Sequence, residues 1–573
     1  EEEKEEAEEK EEPSDSDEDK DDADDDDSEE EDIPVESYVI GDKKAAETTS
    51  SSAKAAGGKC GTRVKWSYSG GSLSISGNGK MKNFSSPDAV PWKAYRDDIT
   101  SVWIHSGVRS IGSYAFYGCT KISGGTIWSY VRGKKAMKSV GKYAFYGVHL
   151  GNIPLPATVT SIGAHCFENT SLNYYTIKGK VKTVGAACFK GCANLTSISI
   201  GKKVKSIPAS CFENCSKLTS VSVPKSVKSI GQFAFAGCSK LTKATMGKNV
   251  KSIGKNAFAA TALTSFTIPS KVKTIAAELF YNCRSLTSVK IHSKVKSIGA
   301  SAFEACTSLT SISMPAKLKS FGTRAFAGSG LTTVKIPGKI KTISTGAFWS
   351  CKSLTSVTIP GSVKTIGEGA FAVSGLTSVV IPKNVTTIGR QAFVNCTALK
   401  SVTMNYGLKT INDEAFSGCT SLPTISFPIS VNSWGNNVLK GCKSGTKVYV
   451  VNEYKTNNAI WGNSGLSFQN YKANPITVTG KTATVKAKKV KKKAQKIAAA
   501  KLYKFDVAGT GAHVFGKVSG NGKITVASNG AITVKKGLKK GTYKITVKVM
   551  AVGDSLTIGG SDWTNVVVTV KVR

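Results

Sequence analysis

The stretch LTSVTIPGSVKTIGEGAFAVSG, residues 354–375, recurs with small changes along most of the chain, and this recurrence limits the fold more than any other feature. Aligned on one aromatic position, the copies place Phe116, Phe145, Phe167, Phe189, Phe212, Phe235, Phe258, Phe280, Phe303, Phe326, Phe348, Phe371, Phe393 and Phe416 in register. The steps are 22 or 23 residues, apart from 29 at the first, and a fifteenth unit carries Leu439 instead. A short period sustained over this length is the mark of stacked repeats rather than of one globular core.

Each position in the unit has a physical reading. Upstream of the Phe, L-x-x-V-x-I (Leu218–Val223, Leu263–Ile268, Leu331–Ile336, Leu354–Ile359) alternates inward apolar residues with outward polar ones, as a strand does. Pro often follows (Pro224, Pro269, Pro315, Pro337, Pro360, Pro382) and ends the strand, because it cannot donate to a ladder. V-K-[ST]-I is a second short extended piece. The Gly usually found next (Gly231, Gly254, Gly299, Gly367) suits a sharp turn or a close backbone approach. The closing A-F-x-x-C reads as a single helical turn. One such unit has no opposite wall and cannot offset its own backbone entropy. Stacking buries both of its faces, so the expected fold is a solenoid. Fifteen coils at roughly 4.8 Å each give a body on the order of 70 Å long.

Charge is split along the chain. Residues 1–32 hold 23 acids against three Lys, while the other 541 residues hold 75 Lys and Arg against 17 Asp and Glu. A body this basic implies an anionic environment or partner. The acidic run lacks apolar residues and repels itself, so it reads as a disordered, solvated spacer that could also shield the basic body or hold Ca²⁺ loosely. Residues 43–59, rich in Ser, Ala, Gly and Lys, continue it as a linker. No apolar run reaches 18 residues, so no membrane-spanning helix is expected. The chain begins at Glu1 without Met or a signal-like apolar segment, and reads as a processed product or a fragment.

The motif L-x-x-V-x-I-P-x-x-V-K-x-I-G-x-x-A-F-x-x-C resembles the BspA-like leucine-rich repeats of bacterial surface proteins. Residues 60–95 are similar to that family's lead-in segment: CGTRVKWSYSGGSLSISGNGKM is followed by PWKAYRDDITSVWI, which leads directly into the first coil. The resemblance implies a leucine-rich repeat solenoid over residues 99–450 behind an N-terminal β cap over 58–98. It also implies a secreted or cell-surface protein that adheres to host or bacterial surface proteins and carries no catalytic residues. Pro208 in place of Gly, the irregular ISGGTIWSYVRGKKAM and the density of Lys depart from the family pattern. After a connector over 451–473 the period stops. ITVTGKTATVKAKK and GAITVKKGLKKGTYKITVKVMAVG alternate apolar with basic residues, so residues 474–573 read as an all-β sandwich. It resembles immunoglobulin- or cadherin-like modules. The chain ends on a strand without a sorting motif, which leaves covalent wall anchoring unsupported.

Chemistry is sparse. Ten of the fourteen Cys (Cys119, Cys192, Cys215, Cys238, Cys283, Cys306, Cys351, Cys396, Cys419, Cys442) occupy one repeat position, where other units have Val148, Thr170, Thr261, Ser329 and Ser374. Cys166, Cys188 and Cys211 stand where other units have Ala. Such positions select a small buried residue, so free structural thiols are expected rather than disulfides or metal ligands. Five His form no triad or ligand spacing. Gly480-Lys481-Thr482 lacks the upstream Gly of a phosphate loop, and the two SGNGK stretches read as hairpin turns. No cofactor is expected. Outward Ser and Thr (Ser220, Ser222, Ser265, Thr267, Ser356, Thr358) suit solvated strands or a hydroxyl face for glycans. No exposed aromatic ladder is evident from the sequence, which counts against a lectin.

One column stands out. Lys182, Lys205, Lys228, Lys251, Lys273, Lys296, Lys319, Lys341, Lys364 and Lys409 recur once per coil after Arg109 and Lys138, with Thr160 and Thr386 interrupting the series. Like charges spaced within the Debye length of about 8 Å repel unless an anion compensates. The column reads either as a solubilising, edge-protecting row or as a track for anionic glycans and wall polymers. Three functions follow: a non-enzymatic adhesion protein, a wall-associated spacer held ionically, or an intracellular nucleic-acid binder. The last is disfavoured because stacking aromatics are not interleaved with the basic residues.

Overall fold

The structure, a computed structural model, describes residues 56–122, 137–463, 465–469, 478–505, 512–527, 530–552 and 564–573. The acidic run, and the irregular second unit apart from its buried ends Ile122 and Met137, lie outside these residues. The segment read as linker ends in structure: Ala56–Gly61 is a strand that pairs antiparallel with Val64–Ser69, which pairs in turn with Ser72–Gly77. Ser72–Gly77 then runs parallel to Ser101–Ile104 and hands the chain to the first coil. Trp66, Trp92 and Phe84 fill this cap, and Trp92 stacks on Phe116 of the first coil at 6.3 Å.

The coils form a solenoid of about 14 turns with little helix. In most, a three- or four-residue strand and a two-residue strand lie side by side with those of neighbouring coils and pair in parallel, as Ser265–Thr267 does with Ser288–Lys290 and Thr274–Ile275 with Ser297–Ile298. Inward residues of both strands are buried, and every Phe of the column is at most 1% exposed. Successive Phe rings stack along the core, with Phe303 and Phe326 at 5.5 Å and 1° between planes. Phe303 therefore has ring neighbours on both sides, in Phe280 and Phe326.

The third side of the coil is not the helical turn that the sequence suggests. Residues two before and two after each Phe have positive φ, for example Ser301 at 52° and Ala305 at 60° around Phe303, or Arg324 at 54° and Gly328 at 62° around Phe326. A right-handed helix cannot pass through such residues. Instead the left-handed residues turn their N–H groups toward the next coil. Ser301 N, Phe303 N and Ala305 N donate to the carbonyls of Thr323, Ala325 and Ala327 at 2.8–2.9 Å. The turn side is thus a third ladder between coils, and it accounts for backbone groups that a lone helical turn would leave unpaired. Gly299 bears out the close approach expected of its position, since a Cβ there would lie 2.3 Å from Ala277 N of the preceding coil.

Residues 451–469 are more than a connector. Helices Asn452–Lys455 and Asn458–Trp461 and strand Ser467–Gln469 close the open end of the stack, and Leu439 N of the final unit donates to Trp461 O at 3.3 Å. Trp461, Trp434 and Phe427 pack there within 5.7 Å of one another. Beyond residue 477 the described residues form further sheets. Thr482–Val485, Thr564–Val572, Gly541–Val552 and Ala512–Ser519 make one, and Gln495–Ile497, Ile532–Val534 and Ile524–Val526 another. Val490, Leu502, Ile545 and Val568 are among their buried residues. The end of the stretch ITVTGKTATVKAKK, residues 487–489, lies not in a strand but in a short helix, Ala487–Lys492.

Candidate functional site

The Lys column owes its alignment to the backbone beneath it. In each coil the residue before the Lys is apolar and buried, as Val227, Val250, Val272 and Val295 are. The two residues after it form the short strand. Lys251 N donates to Lys228 O, Lys296 N to Lys273 O, Lys319 N to Lys296 O and Lys364 N to Lys341 O, all at 2.8–2.9 Å. All ten lysines of the column are exposed.

A second column was missed. Lys180, Lys203, Lys271, Lys294, Lys317 and Lys339 are exposed two residues upstream of Lys182, Lys205, Lys273, Lys296, Lys319 and Lys341. In extended chain, residues i and i+2 point the same way, so burial of the intervening Val, Leu or Ile turns both lysines outward. The upstream Lys often sits in a β-turn: Pro269 O accepts from Val272 N at 2.9 Å, with Lys271 between them. The signal was present as six K-[VLI]-K tripeptides, obscured because Ser226, Asn249, Ser362 and Asn384 fill the same place elsewhere.

Between the columns lies an open groove of about 660 Å³, lined by Lys251, Lys271, Lys273 and Lys294 with Ser270 and Thr274. Lys271 Nζ donates to Asn249 Oδ1 at 2.7 Å, and Asn249 Nδ2 donates to Lys225 O at 2.9 Å, which props one wall. Among the described residues no carboxylate forms an ion pair with any of these sixteen lysines.

Carboxylates have been kept to another side. Residues 99–450 hold 43 Lys and Arg but only seven acids, and all seven (Glu168, Glu213, Glu278, Glu304, Glu368, Asp413, Glu414) lie in the turn stretch around a Phe. Most are engaged there: Glu213 with Lys190 at 3.2 Å, Glu278 with Lys255 at 3.2 Å, Glu304 with Arg324 at 2.6 Å and Glu368 with Arg390 at 3.3 Å. Hydrogen bonding to Glu304 pushes the Arg324 guanidinium above its ordinary value. The outward strand residues Ser220, Ser222, Ser265, Thr267, Ser356 and Thr358 are exposed.

All fourteen cysteines are buried and unpaired. Cys215 Sγ donates to Phe189 O of the preceding coil at 3.1 Å, and Cys238 Sγ to Phe212 O at 3.0 Å. Where a hydroxyl replaces the thiol, Thr261 Oγ1 donates to Phe258 O at 2.9 Å. Burial pushes the Cys119 thiol up to about 12 and the Cys351 thiol up to about 11. Among the described residues no group of three or more His, Cys, Asp and Glu is placed to hold a metal, and no helix is long and apolar enough to cross a membrane.

The sequence matches the model of the BspA type leucine rich repeat region in six overlapping copies, at residues 94–215, 126–242, 160–287, 205–331, 273–398 and 364–484. The chain belongs to the BspA-type leucine-rich repeat family. No curated protein matches the chain. A leucine-rich repeat protein from Bacteroides ovatus ATCC 8483 is similar over 71% of this chain and 98% of its own, at 23% identity and a TM-score of 0.45. One from Eubacterium ventriosum ATCC 27560 is similar over 68% and 95%, at 25% identity and 0.39. A leucine rich cell surface protein from Faecalibacterium prausnitzii A2-165 is similar over 73% and 100%, at 22% identity and 0.35.

Proposed function

We propose that this BspA-type protein is a non-enzymatic, extracellular adhesion protein whose solenoid presents two parallel lysine columns to anionic polymers. These would be sulfated glycans, wall polyanions or acidic surfaces of host proteins. The observation that carries the reading is the segregation of charge: the lysine face has no paired carboxylate among the described residues, while the solenoid's seven acids lie on the turn side. A row kept only for solubility gains nothing from excluding acids, since interspersed signs dissolve as well and repel less. An anionic chain lying along the columns would relieve the repulsion at every coil.

The same reading carries the chain's organisation: an acidic tail and linker over 1–57, a cap over 58–98, the solenoid over 99–450 and an immunoglobulin- or cadherin-like sandwich over 474–573. The even spacing of the lysines also suits a second role, a wall-associated spacer tethered ionically with no preferred ligand. The groove at Lys251, Lys271, Lys273 and Lys294 favours the first role, because four lysines from neighbouring coils line it.

The test compares the parent with the single variants and the quadruple variant of Lys251→Gln, Lys273→Gln, Lys296→Gln and Lys319→Gln on immobilised heparin. A solvated ion pair is individually weak, and avidity comes from many at once. Each single change should weaken retention less than threefold and the quadruple change more than tenfold. Equal retention of all variants would return the column to a solvated face.

A further inference from the structure

The turn side carries a feature of different chemistry. The pentapeptide YAFYG occurs in the first two coils, at 114–118 and 143–147, and in no other. The next coil reads HCFEN at 165–169. Stacking sets these residues in two parallel rows. Tyr114 lies 5.0 Å from Tyr143, and Tyr143 lies 4.3 Å from His165. Beside them Tyr117 stacks on Tyr146 at 4.6 Å and 5°. The rows are inclined to each other, at 50° between Tyr114 and Tyr117 and 63° between Tyr143 and Tyr146. They enclose a trough of about 360 Å³, closed at its margins by Pro87 and by the His165–Glu168 pair. The rings are half-buried rather than fully exposed, and they form a short aromatic ladder across three coils.

The fold does not need these rings. At the position of Tyr117 and Tyr146 other coils carry Ala236, Ala259 and Ala327, and at the position of Tyr114 and Tyr143 they carry Ser210, Ser301 and Gly369. Only these two coils have an aromatic residue at both places.

The lining specifies the ligand. It offers four phenol hydroxyls that donate and accept, an imidazole, and apolar ring surface. Its one carboxylate, Glu168, is held by His165, and it contains no Lys or Arg in a solenoid that has 43. Asn169 Nδ2 donates to the Tyr146 hydroxyl at 3.0 Å and fixes one edge. Burial pushes both the Tyr117 and Tyr143 phenols up, with Tyr146 adding to the first against Arg96 and Glu168 adding to the second, so they stay protonated and able to donate. A cation, Lys142, approaches with its Nζ 4.9 Å from the Tyr143 ring centroid, but the lining itself is neutral apart from the His165–Glu168 pair. A ligand with hydroxyls around an apolar ring face matches every group, and the volume is at the small end for ligand pockets. We propose that this tyrosine trough is a binding site for a neutral saccharide, separate from the lysine face.

The experiment is an array of neutral oligosaccharides (gluco-, galacto-, manno- and N-acetylglucosamine-based), with heparin and a proline-rich peptide as further probes, using the full chain. The parent should bind at least one neutral class. Tyr117→Ala with Tyr146→Ala should weaken it at least tenfold, and Tyr146→Phe, which keeps the ring, should weaken it less. The alanines are native to that position in other coils, so the melting profile should hold. The quadruple lysine variant should bind the neutral class as the parent does, whether or not it loses heparin. No binding to any neutral class, binding that survives the double alanine variant, or tyrosine-dependent capture of the peptide alone would overturn the proposal.

Discussion

Phe303 shows how far single residues decide this fold. Its recurrence at 22–23 residues was enough to place it inward, and the ring is fully buried between Phe280 and Phe326. Phe303→Ala should cost about 3–5 kcal/mol, because the cavity is walled by stacked rings that cannot easily collapse. Hydrogen exchange of the adjacent coils should report that loss, and unchanged protection would contradict the inward assignment. The cysteines were legible for the same reason, since Cys alternates with Ser, Thr and Val in one column. Native protein should resist thiol alkylation at neutral pH, and denaturation without reductant should release all fourteen thiols. Burial holds Cys119 near 12 and Cys351 near 11 against an ordinary 9.0, so the folded state keeps protons that the unfolded chain releases above pH 9. Stability from each of these thiols is therefore full below pH 9. It falls by about 1.4 kcal/mol per pH unit as the pH rises toward the folded value. Thermal melts from pH 8 to 11 should decline, and a flat profile would contradict the buried protonated thiol.

At the scale of the element, the strands were legible and the turn was not. Alternation marks L-x-x-V-x-I because one face is buried and the other wet. A-F-x-x-C carries no comparable mark, and its spacing fits a helical turn as well as the left-handed pairs that actually form. A faint signal did exist two residues after Phe, where Gly or Asn stands in most coils (Gly118, Asn169, Gly237, Asn282, Asn395, Gly418), the residues that best tolerate positive φ. Bulky residues at the paired upstream place, such as Phe233 and Arg324, masked it. Val373 is the test, being β-branched at φ 58° in a position where other coils have Asn. Val373→Asn should stabilise its coil by about 1 kcal/mol, seen as a higher denaturation midpoint. A fall of that size would mean the turn is not left-handed there.

For the whole molecule, repetition told the architecture and hid the exceptions. The period gave a solenoid directly, because only stacking buries a unit with one apolar face. The closing cap at Trp434 and Trp461 was not legible, since a stack can be sealed by any local structure that covers its last ring. The second lysine column and the tyrosine trough were missed for a related reason: each depends on which coils depart from the consensus. Under the proposed function the lysine columns act as one face, apart from the seven acids that lie in the turn stretches of residues 99–450. The direct measurement is heparin affinity against salt, for the parent and for the variant with Lys251, Lys273, Lys296 and Lys319 all changed to Gln. Release of counterions makes log affinity fall linearly with log salt, with a slope set by the number of charges engaged. The account predicts a steep slope for the parent and a distinctly shallower one, with weaker binding, for the variant; equal affinities and equal slopes would contradict it.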